Sequence, residues 1–139
     1  AIADRRAAPG VAGQTSNEDA SVRKMAVYVL GVLRDPSTMH ELEVALNDTV
    51  SDVRWNAAMS LAQMGNDAGA DVLLQLTDRT YLSQFTEMAE EKKNNAIVNA
   101  IKCLGLLKLE GTRTAIALLS EKDPSLLVRD AALAALNTF

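Results

Sequence analysis

The sequence predicts an all-α fold in which similar pairs of helices follow one another along a chain of 139 residues. Three observations predict it. A helical pattern of apolar residues recurs along the chain, shorter apolar segments precede the recurring helices, and aromatic residues make up only 4% of the composition. A fixed period distinguishes a repeat array from an ordinary helical domain. We expect about seven helices in three to four repeats.

The recurring helix is clearest after Asp48. Apolar residues there fall on one side of a 3.6-residue helix: Val53, Ala57, Leu61 and Met64. Two further copies keep Val-Arg at the start, with Ala and Leu four and eight residues later: Val22-Arg23 with Ala26 and Leu30, and Val128-Arg129 with Ala132 and Leu136. A weaker copy has Ala96, Ala100 and Leu104 in these places. Such a stripe must pack against another helix.

Shorter apolar segments precede three of the copies and are predicted to form the first helix of each pair. They span 38–48, 67–78 and 112–121. Thr38 with Glu41 is typical of a capping box, and Gly65 stands where a helix would end. No such segment precedes the first Val-Arg helix, 19–33, so the pattern predicts three helix pairs preceded by one unpaired helix.

A helix pair with Asp at the end of the first helix and Val-Arg at the start of the second resembles the HEAT-like repeat, particularly its short bacterial form found in phycobilin lyases. Asp48 with Val53-Arg54 and Asp123 with Val128-Arg129 carry the resemblance. It implies a right-handed α-α superhelix whose second helices line a concave surface.

The resemblance also assigns a structural role to four residues, because the Asp and Arg of this family form a hydrogen-bonded ladder along the turns: Asp48, Arg54, Asp123 and Arg129. A hydrogen bond between Arg and a partly shielded carboxylate is worth about 1.5–3 kcal/mol. Ile97 stands in place of Arg in the weak copy, which predicts a local irregularity there.

Two segments lie outside the repeat pattern. Residues 1–16 are small and polar with Pro and Gly, and are predicted to be a flexible tail or linker, which leaves 17–139 as the repeat domain. An insertion at about 79–93 keeps helical apolar spacing. It predicts either one long helix of about 25 residues or a short helix kinked into a longer one. Its role is either that of a longer surface hairpin or that of a functional addition to the array.

Composition excludes several classes of function. A net charge of −4 and a pI of about 4.9 predict no broad attraction to nucleic acid or anionic lipid. No apolar run is long enough for membrane insertion, and a single cysteine excludes an internal disulfide. A cytoplasmic location is expected. A periplasmic or membrane-anchored location is the alternative, through a removed segment before Ala1.

No residue pattern indicates catalysis. His40 is the only histidine, and Cys103 falls near the edge of a buried stripe. The sequence contains no phosphate-binding loop, nucleophile elbow or Cys-x-x-Cys motif. We therefore predict a protein that is not an enzyme and holds no metal and no cofactor.

The candidate binding residues face away from the buried stripes of the second helices. Apolar side chains at these positions are costly to leave in water: Tyr28, Trp55, Met59 and Val98. Lys24 and Lys102 occupy the same face and would orient an acidic group. The alternative is that the insertion or the tail folds over this face and buries it within the monomer.

These residues predict a protein–protein interaction scaffold that binds a peptide or a helix on its concave face. The resemblance implies two alternatives: a subunit of a phycobilin-lyase-like enzyme, and a HEAT-like DNA-binding or glycosylase module. The few basic residues on the exposed face argue against the second. A homodimer through open ends of the array is a further expectation about partners.

Overall fold

The structure is a computed structural model that describes residues 4–139, and every regular element in that range is helical. Its α-helices are α1 (Ala8–Gly13), α2 (Ala20–Leu33), α3 (Met39–Ala45), α4 (Ser51–Gln63), α5 (Ala70–Leu76), α6 (Arg79–Leu82), α7 (Glu90–Leu107), α8 (Arg113–Lys122) and α9 (Leu126–Leu136). The predicted all-α class is confirmed for the described residues, with nine α-helices where about seven were expected.

The chain divides into two compact units, the first ending at Val72 and the second spanning Leu73–Phe139. In the first unit α2 packs against α4, and α3 packs against α4 after a short connection. The predicted stripe is buried, since Val53, Ala57 and Leu61 are fully inaccessible to solvent. They share one hydrophobic core with residues of α2 and α3.

Helices α2 and α4 come unusually close where Gly31 faces Ser60. A Cβ atom added to Gly31 would lie 2.7 Å from the Ser60 Cβ. The Ser60 hydroxyl donates a hydrogen bond to the Val27 carbonyl oxygen at 2.8 Å, which fixes the two helices in register. In the second unit Gly105 of α7 faces Ala135 of α9 at a longer distance, with 3.3 Å between an added Cβ and the Ala135 Cβ.

The N-terminal segment differs from the prediction of a flexible tail. Of residues 1–16, those from Arg5 onward form short helical elements, and Ala8 is fully buried against α2. Pro9 suits the first turn of α1 because its fixed φ is already helical. The Arg5 Nε donates to the Leu33 carbonyl oxygen at 3.2 Å. Helix α1 thus covers the helix expected to be unpaired; residues 1–3 lie outside the described residues.

The turn before α3 also differs in detail from the expected capping box. Thr38 makes no cap to α3, and its hydroxyl donates to the Asp35 carbonyl oxygen at 2.8 Å. The Asp35 side chain instead accepts from the Ser37 amide at 2.9 Å. Asp35 caps the turn in place of Thr38 because its carboxylate is two residues before the free Ser37 amide. Gly65 ends α4 with a φ of +74°, as expected for a helix terminus.

The insertion forms a short helix followed by a longer one, the second of the two predicted arrangements. Helix α6 ends at Leu82, and α7 begins at Glu90. Side chains that follow α6 bond to the carbonyl oxygens at its end. The Ser83 hydroxyl donates to the Thr80 carbonyl oxygen at 2.6 Å, and the Gln84 side-chain amide donates to the Tyr81 carbonyl oxygen at 2.9 Å.

Candidate functional site

Asp48 connects α2 to the start of α4 in the first unit. Its carboxylate accepts two hydrogen bonds from Arg23, from Nε at 2.9 Å and from Nη2 at 3.1 Å. It also accepts from the Val50 amide at 2.9 Å, while its backbone oxygen accepts from Arg54 Nη1 at 2.8 Å. The hydrogen bond from Arg23 lowers the pKa of Asp48 below its usual value. One aspartate therefore holds two helices and the turn between α3 and α4.

Asp123 makes the same set of bonds in the second unit. Its carboxylate accepts from Arg79, at 2.9 Å from Nε and 2.7 Å from Nη2, and its backbone oxygen accepts from Arg129 Nη1 at 2.6 Å. Burial would raise the pKa of Asp123, but the hydrogen bonds from Arg79 and the Ser125 amide outweigh it, so the pKa is lowered.

Arg79 has a structural role that the repeat pattern does not predict. It lies in the insertion, and its guanidinium also donates to the Asn94 Oδ1 at 2.7 Å. Ile97 stands where the other copies have Arg and cannot bind the aspartate. Arg79 of α6 supplies the missing guanidinium and binds Asp123 in its place. The sequence signal was available, since Arg79 directly follows an aspartate that ends an apolar helical segment.

The predicted partner-binding residues separate into exposed and buried groups. Tyr28 is 56% exposed, and Lys24 and Lys102 are exposed as well. Trp55 and Val98 are only 6% and 8% exposed, which differs from the expectation that they line an open groove. The physical reason is that burying an indole removes a large apolar area from water. These two side chains are therefore not open to a partner.

The exposed part of this face in the first unit is named here the α2–α4 surface. It consists of Lys24, Tyr28 and Val32 on α2 and of Met59 and Gln63 on α4. The Lys24 Nζ lies 3.6 Å from an Asp52 carboxylate oxygen at one end. The Arg34 guanidinium lies 3.3 Å from the Gln63 side-chain oxygen at the other end. These two polar contacts bracket an apolar strip in which Tyr28 and Val32 are exposed and Met59 is half-buried.

The residues considered for catalysis do not belong to this surface. His40 is exposed on α3. Cys103 is buried in α7, and desolvation raises its pKa to about 11, so the thiol is protonated at neutral pH and is a poor nucleophile. Across residues 4–139, no three side chains of His, Cys, Asp or Glu are grouped so that they could bind a metal ion.

Comparison with known proteins gives a family. Residues 9–83, more than half of the chain, match the family of HEAT repeats. No curated protein matches the chain. HEAT repeats are typically non-catalytic and generally mediate protein–protein interaction. Among the helices described, none is both long enough and apolar enough to cross a membrane. With a match of this extent and the repeated aspartate–arginine turns, the chain belongs to the HEAT-repeat family.

Proposed function

We propose that this protein is a non-catalytic interaction module that binds a peptide or a helix of a partner protein on the α2–α4 surface. The observation that carries the proposal is the exposure of Tyr28 beside Val32 and Met59, in a family that commonly binds proteins. Tyrosine is enriched among the residues that dominate binding energy, and methionine adapts to varied partners. An apolar partner side chain would cover this strip.

The charged residues at the edge of the surface suit an acidic partner group. The ion pair between Lys24 and Asp52 is exposed and long, so it is weak in water. Lys24 can therefore exchange Asp52 for a carboxylate of the partner at little cost. Lys102, with exposed Leu106 one turn later, offers a similar pair of side chains on α7 of the second unit. Trp55 and Val98 are not proposed as contacts, because their side chains are buried.

A capture experiment tests the proposal with three forms of the chain: wild type, Tyr28→Ala and the control Val44→Ala. Val44 is an exposed apolar residue on α3, outside the α2–α4 surface. We expect wild type and Val44→Ala to retain the same partner, and Tyr28→Ala to lose at least about fivefold in affinity, as for an interface anchor. Melting temperatures should agree within the series. Equal affinity of all three forms would contradict the proposal.

The other functions and properties predicted from the sequence stay predictions, and each has a separate test. Bilin binding would test the lyase-like function, and salt-dependent DNA binding would test the glycosylase-like one. A doubled mass in solution would test the homodimer. The cytoplasmic location and its alternatives call for fractionation of cells.

A further inference from the structure

Glu41 has a carboxylate oxygen that the described residues leave unsatisfied. The residue lies in the first turn of α3, where a negative charge is favourable. Its Oε2 is closed to solvent, and no group of residues 4–139 donates a hydrogen bond to it. Such an oxygen is costly, because it has lost its water without gaining a partner. A hydrogen-bond donor that reached Glu41 would therefore be bound favourably.

The Glu41 side chain lines an open cleft of about 530 Å³ between α1 and the start of α3. This α1–α3 cleft combines two apolar residues with four polar ones: Pro9, Ala12, Thr15, Ser16, Thr38 and Glu41. Its volume is in the usual range of small-molecule sites. The terminal torsion of a glutamate has a broad preference, so the carboxylate can turn Oε2 toward the cleft without strain. The unpaired oxygen is thus within reach of a small ligand group.

Three hydroxyl groups of the cleft are acceptors as well, because their protons are already in use. Each donates to the backbone carbonyl oxygen three residues earlier, at 2.7, 3.2 and 2.8 Å in turn: Thr15, Ser16 and Thr38. A hydroxyl has one proton and two lone pairs, so these oxygens keep the capacity to accept a further bond. The cleft therefore lacks donors of its own at these positions and suits a ligand that supplies them.

The charge around Glu41 also favours a cationic ligand. Its side chain lines a neighbouring cleft together with Glu18, Arg23 and Asp48. The carboxylate of Asp48 neutralises Arg23 in the ion pair at 2.9 Å. That pairing leaves the negative charges of Glu18 and Glu41 to attract a cation.

We propose that the α1–α3 cleft binds a primary alkylammonium group, the group found on a lysine side chain and on free aliphatic amines. An ammonium has one positive charge and three N–H donors, which match one carboxylate and several acceptor hydroxyls. It donates to Glu41 and to hydroxyl oxygens of the same cleft, and its alkyl chain packs on Pro9 and Ala12. None of these residues belongs to the α2–α4 surface, so either proposal can fail without the other.

An NMR titration of the full chain tests the proposal with two primary amines. A lysine derivative blocked at both its α-amino and its carboxyl group represents lysine in a protein, and the diamine putrescine represents a free amine. The backbone amide shifts of Thr15, Thr38 and Glu41 report binding in the cleft. We expect saturable shifts with a Kd of about 1 mM or tighter for at least one probe. The probe that binds more tightly identifies the source of the amine.

A trimethylated form of the lysine probe tests the donors on the unaltered protein. It keeps the positive charge but has no N–H, so it should bind at least about tenfold more weakly, as expected for the loss of charge-assisted hydrogen bonds. Equal affinity for the primary and trimethylated probes would overturn the proposal. Shifts that do not saturate by about 20 mM of either amine would also overturn it.

A pair of variants locates the site. Glu41→Gln should weaken binding of the primary amine by about tenfold or more, with little change in melting temperature, because the neutral amide removes the unpaired charge. Glu43→Gln is the matched control, since Glu43 is exposed on the same helix. It should bind as the wild type does. Unchanged binding in Glu41→Gln, or equal losses in the two variants, would show that the amine does not bind at Glu41.

Discussion

Asp48 and Asp123 stabilise the fold in their ionised forms. Arg23 holds the pKa of Asp48 below 3.8, and the pKa of Asp123 is lowered despite its burial. A carboxyl group with a lowered folded-state pKa contributes stability that is complete above its unfolded pKa and is lost as pH falls through its folded value.

The free energy of unfolding should therefore fall as the pH drops below about 3.8, the ordinary pKa of Asp. Urea unfolding at a series of pH values measures this. In Asp48→Asn the acid-dependent loss should be smaller, because one of the carboxylates with a lowered pKa is gone. A pH profile identical to that of the wild type would contradict the assignment.

Trp55 is buried although its position on the repeat predicts exposure. Position along the repeat placed it on the open face, but the side chain is buried. We expect Trp55→Ala to destabilise the protein by about 3–5 kcal/mol, the usual range for removing a buried large aromatic ring. Denaturant unfolding measures the loss, with Trp55→Phe as the milder control. A loss below about 1 kcal/mol would show that the indole contributes little to the core.

At the scale of elements, Arg79 shows how the insertion joins the repeat array. The Asp123 side chain is only 3% exposed, so removing Arg79 leaves a buried carboxylate without its main partner. We expect Arg79→Ala to cost about 3–5 kcal/mol of stability. Arg113→Ala is the control, since its ion pair with Glu110 is exposed and should cost less than about 1 kcal/mol. Equal losses of stability in the two variants would show that Arg79 does not stabilise the fold through Asp123.

The close contact between α2 and α4 gives a second prediction at this scale. A methyl group at Gly31 meets the Ser60 side chain and backbone, so Gly31→Ala should destabilise the protein by about 1–3 kcal/mol through overpacking. Gly10→Ala on α1 is the control, because a Cβ there meets nothing within 4 Å. The two melting temperatures should move in opposite directions, since alanine is the better helix former in open space. A neutral Gly31→Ala would show that the helices move apart freely.

At the scale of the whole molecule, net charge limits the class of partner. With a net charge of −4, the chain should show no salt-dependent binding to duplex DNA near physiological ionic strength. Fluorescence anisotropy of a labelled duplex measures this, and a clear affinity that falls with added salt would revive the DNA-binding alternative. The α2–α4 surface, the proposed binding site, is instead an apolar strip in which Tyr28 and Val32 are exposed.

The sequence by itself determined the helical class, the recurring buried stripe of Val53, Ala57 and Leu61, and the aspartates at the turns. These follow from local periodicity and from short-range hydrogen bonding, which the order of residues specifies. It did not determine that α1 covers α2, since α1 is only six residues long and its core-facing residues, Ala8, Val11 and Ala12, give too short a helical pattern beside Pro and Gly.

Only the tertiary structure decided which residues of the second helices are exposed. Trp55 and Tyr28 were both predicted on the open face of their helices, yet the first is buried and the second is exposed. It also decided that Arg79 pairs with Asp123, 44 residues away. Burial and long-range pairing depend on which elements meet in space, and that is set by the packing of the whole chain rather than by the spacing of residues within one helix.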